Sequence, residues 1–145
     1  MNETKINESI KLLVNSNITD EFIDLVIKRL ESLNYECVEG DEFIIAFTIQ
    51  KVENTIKNEC NIAEIPEGLN YVAVDMICGE ILMNKKQTNS LGDNFSIDGA
   101  LKSIKLGDTT VQLDDESDEV KLNTLINHLL NYGMSELICY RKIKW

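Results

Sequence analysis

The stretch LNYVAVDMICGEILM, residues 69–83, is apolar on nearly every side when wound into a helix. A helix without a polar face belongs at the centre of a bundle, packed on several sides. This segment is therefore expected to be the core helix. Asp75 and Glu80 interrupt it, which makes it too short and too polar for a membrane span of about 20 residues. The two carboxylates lie five positions apart and do not share a helix face well. An inward carboxylate there calls for a buried Lys or Arg, or for an oligomer interface. The only proline, Pro66, precedes the segment. It suits a helix's first turn, where its missing N–H leaves nothing unsatisfied.

Helical patterns surround this core. Residues 3–14 space Ile6, Ile10, Leu13 and Val14 as a short amphipathic helix. In NITDEFIDLVIKRLESLN, Thr19 reads as an N-cap, with Asp20 and Glu21 complementing the positive helix end. Phe22, Ile23, Val26, Ile27 and Leu30 form its apolar stripe, while Lys28, Arg29 and Glu31 are expected to face water. A third helix enters through Gly40 and Asp41 and buries Ile45, Ile49, Val52 and Ile56. The β-branched density of FIIAFTI favours a strand locally, but the helical period persists for three more turns and decides for a helix. The last long helix, EVKLNTLINHLLN, buries Leu122, Leu125, Ile126 and Leu129. Ser117 caps it, and Gly133 is placed as a C-cap. A further turn or two, MSELICY, leads into the end of the chain.

Between the core helix and the last long helix the pattern changes. Residues 87–100, QTNSLGDNFSIDGA, read as a loop or mobile segment rich in Gly, Asp, Asn and Ser. Residues 101–114 then read as a β-hairpin, because Gly107-Asp108 suits a two-residue type II′ turn. On that register Ile104 opposes Val111 and Leu106 opposes Thr109. The fold class expected is mainly α: one domain over 1–145, a bundle of four to five helices with one protruding β-hairpin.

Composition narrows the function. With 25 acidic and 14 basic residues the net charge is −11, which argues against a nucleic-acid binder, since phosphate neutralisation needs concentrated Lys and Arg. The acidic run DDESDE lacks the spacing of a calcium loop. The four cysteines, Cys37, Cys60, Cys78 and Cys139, show no zinc spacing, and His128 is the only histidine. No nucleophile elbow, dinucleotide fingerprint or P-loop is present. The polar start MNETKINESI does not read as an export signal, so a soluble, intracellular protein with reduced thiols is expected. No catalytic, cofactor-binding or metal-binding residue is assigned, and the chain is not expected to be an enzyme. The ending YRKIKW, residues 140–145, sets three cations beside two aromatics in an acidic protein. Tyr, Trp and Arg dominate interface hot spots, so this end reads as a docking arm.

Three segments, taken in order, resemble a known family. IPEGLNYVAVDMICGEIL (65–82), IDGALKSIKLGDTTVQL (97–113) and LLNYGMSELICYRKIKW (129–145) resemble the head–tail connector (adaptor) proteins of tailed phages and prophages of Gram-positive bacteria. The resemblance covers roughly residues 62–145. It implies a virion protein assembled in the bacterial host cytoplasm, a homo-oligomer forming a ring, expected to be dodecameric, beneath the portal protein. Such a ring continues the DNA channel, lets DNA pass without specific binding, and meets a head- or tail-completion protein below. Carried onto this chain, the portal-docking arm comprises Tyr140, Arg141, Lys142, Lys144 and Trp145. The hairpin residues Ile104, Leu106, Gly107, Asp108, Thr109 and Val111 fall at a neighbour contact or on the lower face. The charge sign fits a channel wall that repels phosphates, and ring contacts are heterologous, with two different patches per subunit. Two other readings differ in kind. An acidic regulatory or inhibitor protein that blocks a basic partner requires its carboxylates on one convex face. A small enzyme requires a deep pocket holding His128 with a carboxylate neighbour.

Overall fold

A computed structural model describes residues 3–14, 18–102 and 116–142, with the side chains of residues 3, 4 and 102 outside the description. The elements are α1 (Glu3–Leu13), α2 (Asp20–Ser32), α3 (Asp41–Cys60), a 3-10 turn (Glu67–Leu69), α4 (Asn70–Gln87), α5 (Ile97–Lys102), α6 (Asp118–Asn131) and α7 (Met134–Tyr140). The described chain is mainly helical, and no strand occurs among the described residues. The expected hairpin, with Ile104, Leu106, Gly107, Asp108, Thr109 and Val111, lies outside them and receives no support from the fold.

The long helices form for the reasons their sequences display. The Thr19 hydroxyl accepts from Phe22 N at 3.2 Å, and the Ser117 hydroxyl accepts from Val120 N at 3.3 Å, each satisfying an otherwise orphan first-turn donor. Ile23, Val26, Ile27 and Leu30 of α2 are buried, as are Ile45, Ile49, Val52 and Ile56 of α3. On α6, Leu122, Leu125, Ile126 and Leu129 are buried as well. Helix α4 is the centre, packing on α2, α3 and α6 with Val72–Val74, Met76–Gly79, Ile81 and Leu82 inside. Tyr71 is its exception, 75% exposed. Helix α1 lies against α3 and α2.

Several expectations are corrected. Leu13 points to solvent, because Ile6, Ile10 and Val14, each four apart, already form the buried stripe and Leu13 falls off its axis. Pro66 is not in the first turn of α4. It is extended at φ −62°, ψ 150° and precedes the 3-10 turn, whose Leu69 N bonds back to the Pro66 carbonyl at 2.9 Å. Arg29 does not face water: it is folded onto Asp75 of α4 at 2.8 Å. Gly133 is not a left-handed C-cap, since its φ is −89° and it opens α7.

The segment expected to be a loop (87–100) and the start of the expected hairpin (101–102) contain helix α5. The Ser96 hydroxyl accepts from Gly99 N at 3.2 Å. Ile97, Ala100 and Leu101, at helical steps of three and one, are buried where α5 packs on α6. Burial of that short stripe outweighs the helix-weakening Gly99 inside it.

Glycines set how closely the last helices approach α4. A Cβ on Gly79 would stand 3.0 Å from Leu129 Cβ and 3.1 Å from Leu130 Cγ. On Gly133 it would meet Val72 Cγ1 at 2.4 Å, and on Gly68 the Tyr140 hydroxyl oxygen at 2.0 Å. At Gly133 and Gly68 a Cβ would overlap its neighbour, and at Gly79 it would be squeezed, so glycine lets packed elements approach closely at all three.

Candidate functional site

The arm is only partly free to reach another molecule. Tyr140, at the end of α7, is half-buried against Gly68. The Arg141 guanidinium pairs with the Glu59 carboxylate of α3. Arg141 is extended at φ −62°, ψ 137°, and Lys142 N donates to the Cys60 carbonyl at 2.8 Å. Asn61, left-handed at φ 55° past the end of α3, donates from Nδ2 to the Lys142 carbonyl at 3.4 Å. Three of the five expected arm residues thus contact their own chain. Lys144 and Trp145 lie outside the described residues.

Three carboxylates near the core, Asp75, Glu80 and Asp41, have cationic partners. Asp75 holds Arg29, and Glu80 holds Lys51 of α3 at 3.1 Å, so the two acids of the core helix serve two different neighbours. The deepest pair was not anticipated. Asp41, 3% exposed, receives Lys85 Nζ at 2.6 Å on one carboxylate oxygen. Its other oxygen accepts from Tyr35 OH at 2.7 Å and Val38 N at 3.0 Å. Burial and the Asp41 acceptor push the Tyr35 phenol far above its ordinary value. The sequence shows Asp41 as a helix-start acid; nothing in it points to Lys85.

His128 is partly buried on α6, its ring 5.0 Å from that of Tyr132. Burial lowers its pKa from the ordinary 6.5, against an opposing pull from Asp75. Asp75 is already paired with Arg29, and His128 is not among the lining residues of the three clefts described below. Among the described residues no group of three or more His, Cys, Asp and Glu is placed to hold a metal ion. No helix among them is long and apolar enough to cross a membrane.

The four thiols are free, and their settings predict one fast reaction. Cys60 and Cys78 are buried, and burial raises both pKa values. Cys37 is half-buried, and burial together with the Asp41 charge pushes its thiol up to about 12. Cys139 is exposed. Since the thiolate is the nucleophile, a maleimide titration of the native chain at neutral pH is expected to label one cysteine quickly. Cys139→Ser removes that fast phase, and the other three react on unfolding.

Three clefts stand out on the described surface. One of about 410 Å³ lies between Lys86, Phe95, Asp98 and the first turn of α6. Another, about 520 Å³, lies by Lys5, Ile6, Cys37 and Glu42. The largest of the three, about 620 Å³, runs between the start of α2, the second half of α3 and the loop that follows α3. Its lining combines Phe22, Leu25 and Ile65 with the carboxylates of Glu21, Glu53 and Glu64, and Lys57 is the one cation among its described lining residues. Glu53 Oε2 is shut off from water and has no hydrogen-bond partner among the described residues. Elsewhere on α3, Phe43 and Phe47 are exposed with ring centroids 6.1 Å apart. Neither the cleft nor this pair was legible in advance, because both depend on what the other helices leave uncovered. Compared with protein-family models, with curated proteins and with solved structures, the chain matches none of them.

Proposed function

We propose that this protein is a structural subunit of a phage or prophage particle, a head–tail connector that assembles into a ring beneath the portal and surrounds the DNA channel. One observation carries the reading. The described parts of the first and third of the segments that resemble the connector family meet in the fold at close-packed glycines. Gly68 of the first segment receives Tyr140 of the third, Gly79 receives Leu129 and Leu130, and Val72 packs over Gly133. Helix α5, the described part of the middle segment, packs on α6. The first and third resembling segments therefore pack directly on each other, and the described part of the middle one joins them through α6.

The surface supports the same role. Asp75, Glu80 and Asp41 near the core are held in ion pairs with Arg29, Lys51 and Lys85, which suits a protein acting by shape. Net charge −11 repels phosphate backbones, as the wall of a DNA channel should. In a ring, each subunit offers two different patches to its neighbours. The exposed Phe43–Phe47 pair on α3 is a described surface suited to one of these contacts, since aromatic rings are enriched in interface cores.

The test is assembly with the portal protein of the particle proposed here. Light scattering and negative-stain imaging of the mixture are expected to show a ring-shaped complex, and no complex at any concentration would end the reading. Removing residues 143–145 spares the contacts of Tyr140, Arg141 and Lys142. It is expected to leave circular dichroism and melting unchanged while weakening portal binding at least tenfold. Undiminished binding would take Lys144 and Trp145 out of the docking arm. A chain that binds a basic protein in a one-to-one complex, without a ring, would favour the acidic-inhibitor reading.

A further inference from the structure

Helix α1 is held to the bundle by few groups. Among the described side chains of residues 5–14, three apolar ones are buried, Ile6, Ile10 and Val14, whereas nine of the eighteen residues of α4 are buried. A helix of eleven residues depends on such docking, because isolated helices shorter than about 12–15 residues are marginal in water. Its polar contacts add little. Lys11 and Asp20 pair at 3.0 Å, but both side chains stand in solvent, where an ion pair contributes least. Asn7 is 7% exposed and donates from Nδ2 to Asp24 at 2.6 Å. Its Oδ1 is shut off from water and has no partner among the described residues. A buried, unsatisfied acceptor works against the docked position.

The placement of α1 leaves the rest of the core independent of it. Asn7 meets Asp24 and Lys11 meets Asp20, so α1 runs antiparallel to α2, and it also packs on α3. Helices α2 and α3 each have their own contact with α4. Toward the N-terminal end of α1 the packing opens into the cleft of about 520 Å³. Lys5, Ile6 and Ser9 supply the α1 side of that cleft, and Cys37, Val38, Glu39 and Glu42 supply the remainder. Lifting α1 away would therefore remove one wall of the space that holds Cys37, without separating α2 or α3 from α4.

We infer that α1 is a detachable cover, which opens as a unit while α2, α3, α4 and α6 stay folded and so bares the α3 surface beneath it and the Cys37 thiol. Such sub-global opening is expected of an element with few buried apolar groups. In the closed form burial and the Asp41 charge keep the Cys37 thiol protonated, and the thiolate is the reactive species. Opening relieves the burial. The inference stands apart from the connector reading.

Hydrogen exchange and thiol modification of the full-length Cys139→Ser chain test it together. The amides of residues 8–14 are expected to share one opening constant, roughly thirtyfold or more above that of the α4 and α6 amides. Cys37 reacts through the same partial unfolding, ahead of Cys60 and Cys78. Asn7→Leu removes the orphan acceptor and is expected to slow α1 exchange and Cys37 modification alike, by roughly fivefold. Ile10→Ala removes the central anchor and is expected to speed both by roughly tenfold or more. The inference is overturned if residues 8–14 are as protected as α4, or if protection rises steadily along α1, which is end fraying. It is equally overturned if Asn7→Leu does not slow the exchange, or if it slows the exchange and leaves Cys37 modification unchanged.

Discussion

Lys85→Met is expected to lower the unfolding free energy by about 3–5 kcal/mol, the usual cost of removing one partner from a buried ion pair. The Asp41 side chain is 4% exposed and that of Lys85 13%, so water cannot replace the missing ammonium. The carboxylate would keep two neutral donors, Tyr35 OH at 2.7 Å and Val38 N at 3.0 Å, and lose the charged one at 2.6 Å. Methionine preserves most of the lysine stem's packing, which isolates the charge. The variant should therefore show a lower urea midpoint with an unchanged slope. Asp41→Asn combined with Lys85→Met removes both charges and is expected to recover more than half of the loss. Tyr35→Phe deletes only the neutral donor and should cost about 1.5–3 kcal/mol, the range for hydrogen bonds to charged groups. A loss below about 1 kcal/mol for Lys85→Met would show a solvated pair, as at an exposed surface.

That pair also marks where sequence reasoning stops. Helices α2 and α6 were legible because the information is local, an N-cap hydroxyl at Thr19 or Ser117 and an apolar stripe behind it, and α3 from the persistence of its apolar stripe alone. Helix α4 was legible because its lack of a polar face demands a central position. Helix α5 was missed because its buried side chains, Ile97, Ala100 and Leu101, lie in a window dominated by turn formers, and three positions make a weak period. What joins distant segments was not legible at all. Asp41 and Lys85 are 44 positions apart, and neither looks unusual beside its neighbours. The candidate site divides in the same way. The arm could be read from cations set among aromatics, but its anchoring by Glu59, Cys60 and Asn61 depends on where α3 ends in space. The cleft beside it exists only after α2 and α3 are packed. The hairpin reading rests on Gly107-Asp108, and those positions lie outside the described residues.

Gly79→Val is expected to destabilise the fold by about 2–3 kcal/mol, toward the upper end of the overpacking range, although it replaces the residue least suited to a helix interior. Two effects oppose each other. Replacing glycine in mid-helix gains up to about 1 kcal/mol of helix propensity with alanine and less with β-branched valine. Against this, a Cβ at position 79 stands 3.0 Å from Leu129 Cβ and 3.1 Å from Leu130 Cγ and Cδ2. Leu129 Cβ is fixed to the backbone of α6 and cannot swing aside, so the two helices must separate. For Gly79→Ala the gain and the squeeze nearly cancel, and the variant should melt within a few degrees of the parent. Valine adds two methyl groups to the same contact, and packing prevails. Leu130 supplies two of the three close atoms and is only half-buried. Gly79→Val with Leu130→Ala is thus expected to recover about half of the loss, beyond the sum of the single changes. Under the proposed connector function, portal assembly should follow the same order: retained in Gly79→Ala, lost in Gly79→Val and partly regained in the double variant. If valine were as harmless as alanine, the close approach of α4 and α6 would not be what glycine is needed for at this position.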